Sequence, residues 1–477
     1  LSHPQAQPHV RSVRQKTWVL LGIGLGAFMS TLDVGIINVA LPTLVQSLQT
    51  NFPTAQWTVL SYSLISSSFV LGATRLGDIA SKKPLYLGGL ILFTVSSLLC
   101  GLAPGINWLI AFRVLQGLGA VCISGLGLAI ITEVFPNSER GRAVGMIGGV
   151  VSMGIALGPS IGGLLLDWVG WRSIFLVNVP LGLLASILIA RLVPASIKAK
   201  TRQKFDLAGA LLALITLSSF ALGMTQGQRQ GFTSFASIAL LGVAAVTLVS
   251  FLVLETRLKY PLVELQLFQN QQLSLNLLCN WLVFMVLSGS LLVTPFFLEQ
   301  VMHYPTTKVG LLLAVSPVMS ALIAPLSGAL SDRIGSHWIS LMGLSLMISG
   351  CLAIGTLSPQ MTDWDCLWRY GLFGTGLGLF RSPTDSAVMG SVPRERLGIA
   401  SGLLSLSRTS GVTVGVSILG AVFGAISMQA AQGSDVAVAP ITAVVAGFQA
   451  SFHVAAVILM GAVIASLAQL RSMKPVR

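Results

Sequence analysis

The 477-residue chain is 54% hydrophobic and only 9% charged, with a net charge of +13. Soluble domains carry about 25% charged residues, so this composition, with a mean hydropathy of +0.84, excludes a soluble globular protein and indicates an integral membrane protein. The basic residues sit in short connections between apolar runs, which fits membrane orientation better than nucleic-acid binding.

Residues 1–17 form a polar N-terminal tail with Arg11, Arg14 and Lys16. The first apolar run is too long for a signal-peptide core and no small-residue cleavage site follows it, so no cleavable leader is expected. The chain begins at Leu1 rather than Met, so an altered or missing start is expected. Fourteen apolar runs follow, at 18–42, 56–76, 84–103, 108–132, 143–166, 172–193, 207–226, 235–255, 272–298, 308–330, 337–357, 366–385, 398–428 and 445–470. A membrane helix needs roughly 20 apolar residues, and strand alternation is absent, which argues against a barrel. The expected fold is an all-α membrane protein of fourteen transmembrane helices. A six-helix half (18–193) and a second one (272–470) flank two inserted spans (207–255), and a tail (471–477) ends the chain. No connection is long enough to fold as a soluble domain.

An even number of spans places both termini on one side. Four basic residues, Arg172, Arg229, Lys308 and Arg369, fall on the other side, and Arg113, Arg381 and Arg408 lie within spans. All other Lys and Arg lie with the termini, so both termini are expected to be cytoplasmic. An internal repeat supports the two halves. Gly141, Gly145, Gly154, Gly158 and Gly163 recur at constant offset as Gly398, Gly402, Gly411, Gly415 and Gly420, and Asp78 recurs as Asp332. Parallel repeats of this kind are a transporter feature.

Charged residues inside spans are the first functional candidates. Asp33 lies in the first run and has two readings: a functional acid, or a residue near the span end that reaches water. Asn38, farther along, is a packing residue or a pocket donor. Arg113, in span 4, either snorkels to the surface or is buried against an anion such as Asp33 or Glu133. Gln116 follows one turn later on the same face. In span 5, Gly154, Gly158 and Gly162 share one helix face and permit close approach of another helix. Pro159 removes a backbone donor there and should bend the helix. In span 12, Arg381 and Asp385 stand at i, i+4 and can pair on one face. Arg408 lies deep in span 13. Such charges indicate a watered cavity or a paired network.

The five cysteines, Cys100, Cys122, Cys279, Cys351 and Cys366, have no ligand-like spacing and read as small packing residues. No metal site, cofactor or enzymatic activity is expected, because no phosphate loop, nucleotide fingerprint, zinc motif or nucleophile elbow is present. Energy must then come from an ion gradient, or transport is downhill.

Together these residues resemble the major facilitator superfamily, in its fourteen-span drug:proton antiporter branch. Asp33, Asn38 and Pro42 resemble the first-span motif, and Gly72, Arg75, Asp78, Lys82 and Lys83 the loop 2–3 motif. Arg113, Gln116, Gly117 and Gly119 resemble the span 4 motif. Gly154, Gly158, Pro159, Gly162 and Gly163 resemble the antiporter motif. Trp171, Arg172, Phe175, Asn178, Pro180 and Gly182 are also similar to the branch. The chain departs from the loop motif at Thr74 and Ser81, where glycine is usual, and at Ile79, where a base is usual. Arg381 and Asp385 replace residues that are commonly apolar or small, a departure that points to an unusual substrate.

The resemblance implies proton-coupled export of amphipathic or cationic compounds by alternating access. Asp33 and Arg113 would couple protons. Asp78 would hold the halves together in the outward-facing state, and the span 5 glycines would seal them near the outer side. Asn38, Gln116, Arg381, Asp385 and Arg408 are cavity candidates. The expected partners are a small molecule, protons and membrane lipids, without nucleic acid. The expected setting is the bacterial inner membrane, with the chain working as a monomer. The alternatives are export of one dedicated metabolite, peptide or lipid, and a transport-inactive sensor or assembly subunit.

Overall fold

The computed structural model of the chain describes residues 13–135, 137–193, 206–258, 261–393 and 396–472. Its first part contains α1 (Val13–Ser47), α2 (Phe52–Ala55), α3 (Trp57–Ala80), α4 (Lys82–Gly101), α5 (Ile106–Val134), α6 (Asn137–Val169), α7 (Ser173–Leu176) and α8 (Asn178–Leu192). There follow α9 (Leu207–Gln230), α10 (Phe235–Arg257), α11 (Gln271–Gln300), α12 (Thr306–Ile334), α13 (Ser336–Ile354), α14 (Asp363–Gly390), α15 (Leu397–Ala430) and α16 (Ile441–Ser472). No strand occurs among the described residues. Each apolar run coincides with a long helix, the sixth with α8 and the short α7 before it.

Among the described residues, twelve helical segments are long and apolar enough to cross a membrane, α7 and α8 together making one of them. Of the two other long helices, α14 is polar, while α3 has described side chains in one stretch only over 57–73. Helix α3 carries Ser61, Ser63, Ser66, Ser67 and Ser68, and α14 carries Asp363, Asp365, Arg369, Arg381 and Asp385. The expectation of fourteen crossings therefore rests on apolarity for twelve helices only.

Side-chain caps set several helix starts. Asp206 accepts from the Gly209 N–H (2.8 Å) at α9, and Asn270 from the Gln272 N–H (3.1 Å) at α11. Thr362 and Asp365 form a reciprocal capping box on α14. Each cap satisfies amides that have no partner within the helix.

Helices α1, α3–α6 and α8 pack on one another, and so do α11–α16. Helices α9 and α10 pair, and α9 also lies against α3 and α15, one from each group. The helices reverse direction at each connection, so both ends of the described chain leave at one end of the bundle, called here the near end. Contacts between connections respect this. At the near end Lys16 pairs with Glu139 (2.8 Å), and Lys83 donates to the carbonyls of Ala190 (2.9 Å) and Val193 (2.5 Å). At the far end the Phe52 N–H donates to Asp435 (3.4 Å).

The hydrogen bonds described between the two groups lie at the far end or at mid-depth. Asp167, near the end of α6, accepts from the Thr307 N–H (2.8 Å) and from the hydroxyls of Thr306 and Thr307 at the start of α12. The α12 N-cap, Pro305, offers no side-chain cap, so a carboxylate from the opposite group does that work. Gln56 joins three helices: it donates to the Val416 carbonyl of α15 (2.7 Å) and accepts from Gln228 of α9 (3.2 Å). At mid-depth Ser67 of α3 meets Thr413 of α15 (3.1 Å).

The span 5 glycines divide their work. The face of Gly154, Gly158 and Gly162 packs on α1 of its own group: a Cβ at Gly158 would lie 2.9 Å from the Gly35 Cα and 3.1 Å from the Leu32 carbonyl. This corrects the expectation that the whole motif seals the two halves. Gly163 and the Pro159 carbonyl meet the other group, at Thr306 and Gly310 of α12. The repeat is reproduced spatially. Gly411 and Gly415 of α15 press on the α11 backbone, whereas Gly420 faces Gln56 across the groups. Nearer the start of α6, nothing lies within 4 Å of a Cβ at Gly145, Gly148 or Gly149.

Loop 2–3 explains one departure from the motif. Ser81, between α3 and α4, has φ 102° and ψ 130°, a conformation that glycine adopts without strain. Its repeat partner between α12 and α13 is Gly335, with φ 98° and ψ 139°. A side chain held there costs about 1–3 kcal/mol, while glycine loses more chain entropy on folding. Ser81→Gly is therefore expected to stabilise the protein by about 1 kcal/mol, read as a higher melting temperature in detergent. An unchanged or lower melting temperature would show that the turn is not strained.

Candidate functional site

Asp33 sits in the middle of α1, roughly 20 Å of helix from its far end at 1.5 Å per residue. Its side chain is 2% exposed and that of Arg113 is 1% exposed. Reach to water and snorkelling are thereby set aside. The Arg113 Nη1 donates to Asp33 Oδ2 at 2.5 Å. Asp33 Oδ1 accepts from Gln116 Nε2 (2.9 Å) and Asn178 Nδ2 (3.1 Å). Both carboxylate oxygens are thus engaged, by donors from α5 and α8.

The guanidinium is equally enclosed. Arg113 Nε donates to the Thr58 carbonyl (2.9 Å) and Nη1 also to Gln116 Oε1 (2.6 Å). Its carbon lies 4.4 Å from the centroid of the Tyr62 ring, in cation–π range. Gln116 is held in turn by Ser97 Oγ (2.9 Å) of α4. Helices α1, α3, α4, α5 and α8 therefore converge on one buried ion pair. The pair is affordable only because nearly every polar atom has a partner. The exception is Asn178 Oδ1, which is buried and makes no hydrogen bond. It offers an acceptor beside Asp33.

The sequence brings Asp33, Arg113 and Gln116 together as candidates, and the structure places them in contact. Glu133, the other possible partner of Arg113, pairs with Lys82 instead (3.7 Å). Asn38 lies apart: its Nδ2 returns to the Val34 carbonyl of its own helix (2.8 Å), and its Oδ1 is buried without a partner. Gly72 is buried in α3. The side chains of Arg75, Asp78 and Asp332 lie outside the described residues. Lys82 and Lys83 both bond within the first group.

The second charged cluster differs from its expected pairing. Arg381 and Asp385 are one turn apart but do not pair. Asp385 instead receives both bonds, 2.6 and 2.5 Å, from Arg408 Nη2 of α15. The i, i+4 partner loses to a guanidinium arriving from the facing helix. Arg408 also lies over the Phe284 ring of α11, 5.5 Å from its centroid. This pair is half-open: 25% of the Arg408 side chain and 31% of Asp385 are exposed.

Sequence reasoning gave no role to Asn178, Thr58, Tyr62 or Ser97, and missed Asp167 and Glu299. Asn178 carried a signal, as a polar residue inside the apolar run 172–193. Glu299 carried one too, as an acid beside the end of span 9; its Oε1 is buried without a hydrogen bond. Nothing in the spacing marks Ser97 or the Thr58 carbonyl.

The Major Facilitator Superfamily profile matches residues 23–416. Among curated proteins the chain is 38% identical over 413 residues to Multidrug resistance protein Stp of Mycobacterium tuberculosis, covering 86% of this chain and 76% of Stp. It is 31% identical over 412 residues to Riboflavin transporter RibZ of Clostridioides difficile, covering 86% of this chain and 89% of RibZ. Among solved structures it superposes, at TM-score 0.71 and 17% identity, on a bacterial homolog of the human lysosomal transporter Spinster. That structure is inward-facing and unoccupied; the match covers 97% of this chain and all of that one.

Removing one member of a buried pair leaves the other charge stranded, at about 3–5 kcal/mol. Arg113→Met is expected to destabilise the protein by that order, measured by denaturant titration in detergent. The Asp33→Asn/Arg113→Met double variant should be more stable than Arg113→Met alone. If the double variant is no more stable than the single one, the two charges are not coupled.

Proposed function

The chain belongs to the major facilitator superfamily, and from that premise we propose that it is a proton-coupled exporter of amphipathic small molecules, working by alternating access. The observation that carries this reading is the sealed Asp33–Arg113 pair, an ionisable couple buried at mid-depth in a bundle of apolar helices. A titratable group in that position has no structural need that an apolar pair would not serve.

The cycle follows from charge. With Asp33 ionised, Arg113, Gln116 and Asn178 are drawn onto it and α1, α5 and α8 are locked together. A proton on Asp33 removes the charge that holds Arg113, so the helices are freed to shift. Proton binding from one side and release to the other then drive the substrate the opposite way without a nucleotide. The far-end contacts of Asp167 and Gln56 are the closed gate of this state, and the open glycines of α6 mark the near end as the open one. We read all fourteen long helices as membrane spans of a monomer, with α3 and α14 contributing polar walls. The termini and the near end then face the cytoplasm of a bacterial cell.

The relative named as a multidrug resistance protein supports a broad substrate range. A dedicated metabolite is the second reading, favoured by the relative named as a riboflavin transporter.

Asp33→Asn is expected to abolish uphill accumulation in inverted vesicles while leaving substrate binding and downhill exchange. Proton flux and uptake are measured together. Uphill transport with normal proton flux in this variant removes Asp33 from the coupling role.

The topology is tested separately, with thiol-reactive tags at Ser2 and Val476. Both are expected to react only after permeabilisation. Labelling of either from outside an intact cell reverses the assigned sides.

A further inference from the structure

The two charged clusters have opposite bookkeeping. In the first, one carboxylate meets one guanidinium, and both are sealed from water. In the second, two guanidinium groups stand near one carboxylate, and only one of them pairs with it. Both Asp385 contacts are taken by Arg408, and Arg381 makes no hydrogen bond or ion pair. The Nε of Arg408 is also buried without a partner.

Depth makes this imbalance significant. Arg381 lies nine residues before the last residue of α14, and Arg408 eleven residues after the first of α15. At 1.5 Å per residue each is roughly 14–16 Å of helix from the near end. An arginine at that depth is costly unless it pairs or faces a watered cavity. Arg381 has no protein anion to pair with, and the neighbouring ion pair is partly exposed. Three helices, α11, α14 and α15, contribute Phe284, Arg381, Asp385 and Arg408 to this place. An aromatic face and an unpaired planar cation fit a flat amphipathic molecule bearing a carboxylate or ionised phenol. Such a group can accept the parallel N–H donors of a guanidinium.

We propose that Arg381 is a substrate-binding residue that selects acidic amphipathic molecules, by pairing with their anionic group beside the Asp385–Arg408 ion pair. This rests on the exporter reading above and narrows its substrate class. Asp385 takes up the charge of Arg408, so the site presents one net positive charge rather than two. A monoanion is therefore the matched ligand, and a cation is repelled. Arg381 is part-exposed, so water can take its donors when no substrate is bound.

The test uses two xanthene dyes of similar size and flatness at mildly acidic pH: fluorescein, there mainly a monoanion through its carboxylate, and a cationic rhodamine ester. Binding to the purified full chain in nanodiscs is followed by fluorescence anisotropy, which needs no proton gradient. The wild-type protein is expected to bind fluorescein more tightly than the rhodamine ester. Arg381→Gln should weaken fluorescein binding by about tenfold or more, the loss of one charge-assisted pair, and should strengthen binding of the ester. Arg381→Lys should restore part of the fluorescein affinity, because it restores the charge without the fork. The proposal is overturned if the wild-type protein prefers the ester or binds neither dye. Equal weakening of both dyes in Arg381→Gln also overturns it, since that is the mark of a structural role. The exporter reading fails on a different result: charge-selective binding intact, with no gradient-driven dye movement in vesicles.

Discussion

Taking an ion out of water costs several kcal/mol even after the surroundings relax. Asp33 and Arg113 are taken out together, and the first helix group is arranged around what they require. The carboxylate demands donors on both oxygens, which fixes α5 and α8 against α1. The guanidinium demands acceptors, which brings in the first turn of α3 and, through Gln116, the serine of α4. The backbone contact of Gly158 with Gly35 then becomes intelligible. It sets α6 against α1 within one turn of the charged residue, with no side chain in between to yield. Six helices are joined in this way around one buried ion pair.

Much of this was legible in the residues. Apolar runs gave the helices, because a chain that must satisfy its backbone without water has little choice but to coil. An acid and a base inside such runs made a buried pair one reading, beside reach to water for Asp33 and snorkelling or Glu133 for Arg113. What spacing could not supply was the neighbour. The glycine face of α6 was plain, but nothing in a periodicity says whether it meets α1 or α12. Arg381 and Asp385 have good helical spacing for a pair, yet Asp385 is claimed by Arg408 from another helix. Helical spacing reports who can touch along one element; it carries no information about a stronger partner approaching from outside. Ser81 was visible as a departure from a glycine pattern, and only the backbone angles show what that departure entails.

The two halves share a fold repeat but differ in their electrostatics. The first half closes its charges completely and keeps only Asn178 Oδ1 unused beside them. The second leaves a guanidinium unmatched and its ion pair partly wet. Under the proposed function this division would separate a place for exchanging a proton from a place for holding a molecule. No hydrogen bond described here links the two clusters directly. The described hydrogen bonds between the two helix groups lie in the α6–α12 and α3–α15 seams and at the Phe52–Asp435 contact.

Gln56 lies in one of those seams and is 1% exposed. Its amide gives a hydrogen bond to α15 and takes one from α9; the first spans the two groups and must break before they part there. Water cannot reach the amide until it has broken, so its replacement bond arrives late. In an apolar surrounding each such bond is worth about 4–6 kcal/mol before solvent compensates. The far-end opening thus carries an enthalpic barrier of that character, whatever its net free energy. Any movement that parts the two groups at this end is therefore expected to slow steeply on cooling.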